Sequence, residues 1–492
     1  MTNRRRIARC VLACLMLAVA FPAASTQGAE MYLAASCTVG VSMALRCSTP
    51  HGKAAGYITA TRQSSAPAQM SAQVNNLAKE TPASPDEHAQ QSQKRVTSYT
   101  LPHGTYAKAR HLSRISFLLR VFLPFYQIAL LALILRWGWS SKFRDWAEAA
   151  STRRIVQAAI YSSLFLLAFT LPQLPIAAWV HWLLRRYDLV IQGWASWFWD
   201  QIKTQFVITI IGTLVIAGLF RAIRRSPRRW WFYFWLGSIP VTLFFIFISP
   251  LVIDPLFNKF EPLQSHDPAL VDSLERVVAR AGLSIPPERM FWMNASAKVN
   301  FVNAYVTGIG ASKRVVVWDT TIEKMTNPQI LFVFGHEMGH YVLGHIPKGL
   351  GLLEALFFLL FYIGFRLSNR VLQKKSQAWQ IRASDDWASL PVYAGTLLLL
   401  LFVATPLTNG MSRYFEHQAD QYGLEVTHGI TPDSGQVAAQ SFQILGEIDM
   451  EDPEPNRLEI WWFWDHPWIG DRIKFALEYG PWSKGESPEF VK

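Results

Sequence analysis

Charge is what much of this 492-residue chain lacks. Six long apolar runs, Phe117–Leu135, Ile155–Leu183, Phe206–Phe220, Trp230–Ile253, Gly349–Phe365 and Ala388–Leu407, are almost free of it. The first holds only Arg120 and the fifth only Glu354; the others have no Asp, Glu, Lys or Arg. Each is long enough, or nearly so, to cross a hydrocarbon layer about 30 Å thick. Such runs argue against a soluble all-helical protein. Cysteine is also scarce, at four in the chain. Cys10 and Cys14 fall in the N-terminal apolar stretch, which leaves Cys37 and Cys47 to pair if exported, too few to fix a disulfide framework. Also missing is any interleaving of basic and aromatic residues of the kind a nucleic-acid module carries, so the net charge of +12 is not read as a sign of nucleic acid.

The positive charge is instead unevenly placed. The loops after the first, third and fifth runs, Arg136–Arg154, Arg221–Arg229 and Arg366–Arg382, hold most of the basic residues that flank the runs. The positive-inside bias puts those loops in the cytoplasm. Trp and Tyr crowd the run edges, as in "WASWFWD" and "RRWWFYFW", where amphipathic rings sit at headgroup level. The first thirty residues, with basic "NRRRIAR", apolar "CVLACLMLAVAF" and small-residue "PAAS", read as a secretory signal or signal anchor.

The expected organisation follows: signal or anchor over 1–30, a flexible linker rich in small and polar residues over 31–105, four membrane spans over 106–253, a zincin-like segment over 254–348, two further spans over 349–408, and the rest of the catalytic domain over 409–492. The fold class is mainly α, a six-span helical bundle with an α+β catalytic domain. "VNFVNAYVTG" and "KRVVVWDTT", joined across "IGAS", read as a β-hairpin.

What is present in so apolar a chain is the segment "NPQILFVFGHEMGHYVLGH". It reads as a helix capped by Asn327 with Pro328 in its first turn. At 100° per residue His336 and His340 lie about 40° apart on one face, one turn separated, so two imidazoles can grip one metal ion. Glu337 beside them can reach a water on that metal. This is H-E-x-x-H. Zinc suits two nitrogens and an oxygen with a fourth position left for water, whose pKa it lowers to about 7. His345, about 180° round the same helix from His336, is read as a membrane-interface residue. A third ligand must come from elsewhere. Glu354 in the fifth run is one candidate, because a carboxylate there needs a partner. The stronger lies in "MSRYFEHQADQYGLE", where Glu416 could complete the metal shell and Asp420, one turn on, could accept the free ring N–H of a ligand histidine.

HEMGH followed by "SRYFEHQAD" resembles the type I CAAX prenyl protease family, integral-membrane zinc proteases. "NAYVTG", "PLFNKFEPL" and "HPWIGDRI" are similar to family motifs at the expected positions, and the likeness runs from about Tyr106 to Tyr479. The resemblance implies one Zn2+ on His336, His340 and Glu416, with Glu337 as general base and Asp420 as a second catalytic carboxylate. It places His466 among the catalytic residues, and Asn303 and Arg472 at the substrate. The activity it implies is that of a zinc metalloendopeptidase in the bilayer. The chain departs from the family's eukaryotic members in its N-terminus, where a signal-like segment and linker replace a first helix. The family works at the cytosolic face, whereas charge counting puts this zinc domain on the periplasmic side of a bacterial inner membrane. A bacterium offers no prenylated protein, so a membrane-associated peptide or damaged membrane protein is the expected substrate. A heat-shock-type quality-control protease and a non-catalytic membrane scaffold are the other readings.

Overall fold

The computed structural model describes residues 95–190, 192–247, 259–296, 301–307 and 313–491. The signal segment, most of the linker, Cys37 and Cys47 lie outside these residues. The first helices are α1 (His103–Arg136), α2 (Trp139–Ala150), α3 (Arg154–Thr170), α4 (Leu174–Arg186), α5 (Trp194–Arg225) and α6 (Trp230–Phe247). A helix α7 (Pro268–Arg280) and a short α8 (Asp319–Lys324) flank a small sheet. The rest are α9 (Asn327–Val342), α10 (His345–Lys375), α11 (Leu390–Thr427), α12 (Ser434–Ile448), α13 (Arg457–Phe463) and α14 (Ile469–Glu478).

Among the described residues, five helical stretches are long and apolar enough to span a membrane: α1, α3 with α4, α5, α10 and α11. The run Trp230–Ile253 begins as α6, and its end falls outside the described residues. These helices present large apolar side chains outward. Phe206 is 67% exposed and Leu407 66%, a distribution that suits lipid and not water. Inside the bundle, Tyr161, Phe165, Phe220, Trp387 and their neighbours form one buried apolar core. The protein is an integral membrane protein.

Strands β1 (Phe260–Pro262), β2 (Met290–Met293), β3 (Ala304–Thr307) and β4 (Arg314–Trp318) form one sheet in the order β1-β2-β4-β3. β3 and β4 pair antiparallel, as the hairpin reading expected, with Tyr305 opposite Val316. β2 and β4 are parallel. Val315 and Val317 of β4 face a core shared with Leu270 and Leu274 of α7 and with Ile330, Phe334 and Met338 of α9. The apolar period of α9 is thus spent on the sheet side, which leaves its other face for α11.

The N-terminus of α9 lies one residue earlier than expected. Thr326, not Asn327, is the cap: its side chain takes the amide of Gln329, and the Gln329 side chain takes the Thr326 amide at 2.9 Å. Pro328 sits in the first turn, where its missing N–H costs nothing.

Candidate metal centre

Three glycines decide how α9 meets α11. A methyl group on Gly335 would lie 2.8 Å from a Val426 methyl, and one on Gly339 2.9 Å from Tyr422 Cβ. From the other side, a methyl on Gly423 would approach the α9 backbone itself. With no Cβ at these positions the helices cross closely, and the side chains that follow Gly335 and Gly339 on α9 meet one from α11 two turns before Gly423.

Those side chains are His336, His340 and Glu416. Their donor atoms all lie within 4.8 Å of one another. His336 Nε2 is 3.2 Å from Glu416 Oε2, His340 Nε2 is 3.2 Å from Glu416 Oε1, and the two Nε2 atoms are 3.2 Å apart. Three electron-pair donors thus converge on one point. Glu416 is 1% exposed, and its buried Oε2 accepts no hydrogen bond although His336 and His466 lie beside it. A buried carboxylate oxygen without a hydrogen bond is costly. A cation at the focus of the three side chains would relieve that cost, and two imidazoles with one carboxylate are a donor set that zinc takes.

His336 directs its other nitrogen, Nδ1, to Asp420 Oδ1 at 2.8 Å. Arg472 from α14 grips both oxygens of Asp420, at 2.8 and 2.6 Å. Asp420 is therefore fully engaged in orienting His336. Burial opposes charge on His336, yet the carboxylates of Glu416 and Asp420 outweigh it and raise the ring to about 10. His466, just before α14, bonds Asp465 through Nδ1 at 2.8 Å and sets Nε2 3.3 Å from Glu416 Oε2. Burial lowers its pKa, but Glu416 and Asp465 lift it to about 9. Glu337 is half-buried beside the cluster, and burial raises its carboxyl pKa while His336 and His340 partly offset this.

Glu354 is not part of the donor cluster. It lies inside the membrane on α10, where Ser238 and Thr242 of α6 donate to its two oxygens at 2.8 and 3.0 Å. The partner that a carboxylate in a span requires is this pair of hydroxyls. Arg472, expected at the substrate, is buried behind Asp420 and also borders a polar cavity of about 210 Å³ that reaches His466 and Phe301. Asn303 stands just ahead of β3, its backbone N–H donating to Thr321 Oγ1 at 2.8 Å and its carbonyl accepting from the same hydroxyl.

His345 is the residue the sequence reading misplaced. α9 ends at Val342, Gly344 adopts a left-handed φ of 67°, and His345 opens a new helix. A helical wheel carried past Gly344 therefore fails. His345 is 3% exposed, with its Nδ1 3.0 Å from His340 Nδ1. The glycine before it was the available signal.

Comparison with known proteins fits this geometry. The peptidase family M48 model matches residues 264–479, and a CAAX prenyl protease N-terminal model with five membrane helices matches residues 75–259. The chain belongs to the type I CAAX prenyl protease family. It is a metallopeptidase. The uncharacterized metalloprotease YhfN of Bacillus subtilis is 36% identical over 340 residues, 69% of this chain and 78% of that one. A CAAX prenyl protease 1 homolog of Dictyostelium discoideum is 31% identical over 234 residues, 46% of this chain, and the chain spans about half of that relative, 53%. The crystal structure of S. mikatae Ste24p shares the fold with a TM-score of 0.66 at 21% identity, over 80% of this chain and 94% of that one. The M48 match contains every candidate ligand, so the metal-binding geometry falls in the peptidase part of the family.

Proposed function

We propose that this protein is a zinc-dependent endopeptidase of the membrane, with one Zn2+ held by His336, His340 and Glu416. The observation that carries this reading is the convergence of three donors within 4.8 Å around a buried Glu416 oxygen that accepts no hydrogen bond. Bound there, zinc would supply Lewis acidity that polarises the scissile carbonyl and acidifies water. The chain's own residues do the rest. Glu337, with a raised carboxyl pKa, takes the proton from the attacking water and passes it to the leaving amine. His466, its Nδ1 held by Asp465, donates from Nε2 to the oxyanion that develops on the carbonyl. Asp420 fixes the His336 ring, and Arg472 holds Asp420 in place. The substrate lies extended along β3, the end strand of the described sheet order, on the side away from β4. Asn303 at the head of that strand offers its amide to the substrate backbone.

The substrates are membrane-associated peptides or damaged membrane proteins, and a prenyl group is not required. The catalytic domain lies opposite the three basic loops, on the periplasmic face of a bacterial inner membrane. Metal analysis of the purified protein together with Glu337→Gln tests the chemistry. One zinc per chain in both proteins, with activity reduced about 10²–10⁴-fold in the variant, is the expected result. Comparable activity in the variant, or no bound zinc, overturns it. A farnesylated peptide cleaved far better than its unmodified twin would replace the substrate class with prenylated chains. Labelling of Ser265→Cys by an impermeant maleimide in intact cells tests the side.

A further inference from the structure

We infer that His345 positions the metal ligand His340, through a one-way hydrogen-bond relay that Gln418 fixes. The inference rests on the metal site proposed above. His340 turns Nε2 toward Glu416 and His336, so its remaining nitrogen, Nδ1, carries the ring proton. That nitrogen faces His345 Nδ1 at 3.0 Å. Two imidazole nitrogens can share one hydrogen bond only if one of them is bare. Gln418 decides which. Its Oε1 is 3.2 Å from His345 Nε2, and an amide oxygen can only accept. Its amide nitrogen donates to the Tyr414 hydroxyl at 3.3 Å. His345 therefore carries its proton on Nε2, and its Nδ1 accepts from His340.

The His345 ring has little freedom to do anything else. It is buried, stacks on Phe415 with centroids 4.5 Å apart and planes 13° from parallel, and follows immediately on the left-handed Gly344. The two ligand histidines are thus held by different chemistries. His336 leans on a carboxylate locked by Arg472, and His340 on a neutral imidazole locked by an amide. A carboxylate makes its histidine a stronger donor to the metal, whereas a neutral acceptor orients the ring without adding charge. The pocket already holds the carboxylates of Glu416, Asp420 and Glu337, so an uncharged partner for His340 avoids a fourth.

The variants that separate positioning from packing are His345→Asn and His345→Leu. They match closely in shape, and the Asn oxygen falls near the place of Nδ1 while Leu offers no acceptor. Zinc affinity measured by competition with a chromophoric chelator should fall about 10–100-fold in H345L and stay within about three-fold in H345N. The visible absorption of the cobalt-substituted protein should shift in H345L and match wild type in H345N. Gln418→Met, which leaves all three proposed ligands and His345 in place, should move the cobalt spectrum in the same direction as H345L by a smaller amount. Equal zinc affinity and an unchanged cobalt spectrum in H345L overturn the inference while leaving the metal site intact. Equal losses in H345L and H345N also overturn it, because the acceptor would then not matter. A wild-type protein that binds no zinc overturns the site itself.

Discussion

A methyl group on Gly423 would sit 3.0 Å from the backbone nitrogen of His336 and 3.3 Å from its Cα. The missing side chain on one helix is what lets the ligand on the other reach Glu416. Gly423→Ala must therefore push α9 and α11 apart by a few tenths of an ångström, at a cost of about 1–3 kcal/mol for overpacking. We expect it to lower Tm and to weaken zinc binding together. Gly351→Ala, on α10 where a methyl meets nothing within 4 Å, should leave zinc binding unchanged and raise Tm slightly, because alanine favours the helix. Calorimetry and metal titration of the two variants check this, and a Gly423→Ala protein with unaltered zinc affinity would show that the crossing tolerates a methyl group.

Glu416→Ala and Glu354→Ala should separate cleanly. The first removes a proposed ligand and should release the metal. The second breaks bonds to Ser238 and Thr242 inside the bundle, so it should alter stability and leave one zinc per chain. Elemental analysis after dialysis distinguishes them.

Asn303→Ala should lower kcat/KM by roughly ten-fold or more, in line with loss of one hydrogen bond made in the transition state. Its backbone bonds to Thr321 do not involve the side chain, so the start of β3 and the zinc content should be retained. Full activity in this variant would limit Asn303 to shaping the strand.

Glu451 gives a pH test independent of the metal. Burial raises its carboxyl pKa to about 7 from 4.5, although the Ile469 amide at 2.9 Å and the nearby Arg472 oppose the rise. A raised carboxyl pKa means that the folded protein binds more protons than the unfolded chain between about 4.5 and 7. Stability must then fall as pH rises through that window. Glu451→Gln keeps an oxygen for the Ile469 amide and removes the titration. The wild-type Tm in detergent should drop relative to the variant between pH 5 and pH 8, and parallel curves would refute the assignment.

Much of the site was legible because its chemistry is periodic. His336 and His340 need only the pitch of one helix to meet, and Glu416 with Asp420 needs only the pitch of another. The membrane runs were legible for a similar reason, since lipid disfavours charge and only Arg120 and Glu354 interrupt them. What could not be read was contact between distant segments. Nothing in the spacing of Gln418 says that it meets His345, and nothing in Glu354 names Ser238 and Thr242 as its partners. The cap of α9 shifted from Asn327 to Thr326 because Gln329 can answer only one of them, a choice made by geometry and not by residue type. His345 was placed on the wrong face because the period was carried through a glycine that ends it.

Two of the three proposed ligands precede the hairpin made by α10 and α11, and the third lies toward the end of its second arm, on α11. During synthesis His336 and His340 emerge with no Glu416 to join them, and the metal site stays incomplete until the second arm of the hairpin has crossed and docked against α9. On the proposed metal site, the nascent chain would have no complete hydrolytic centre until its own insertion is finished.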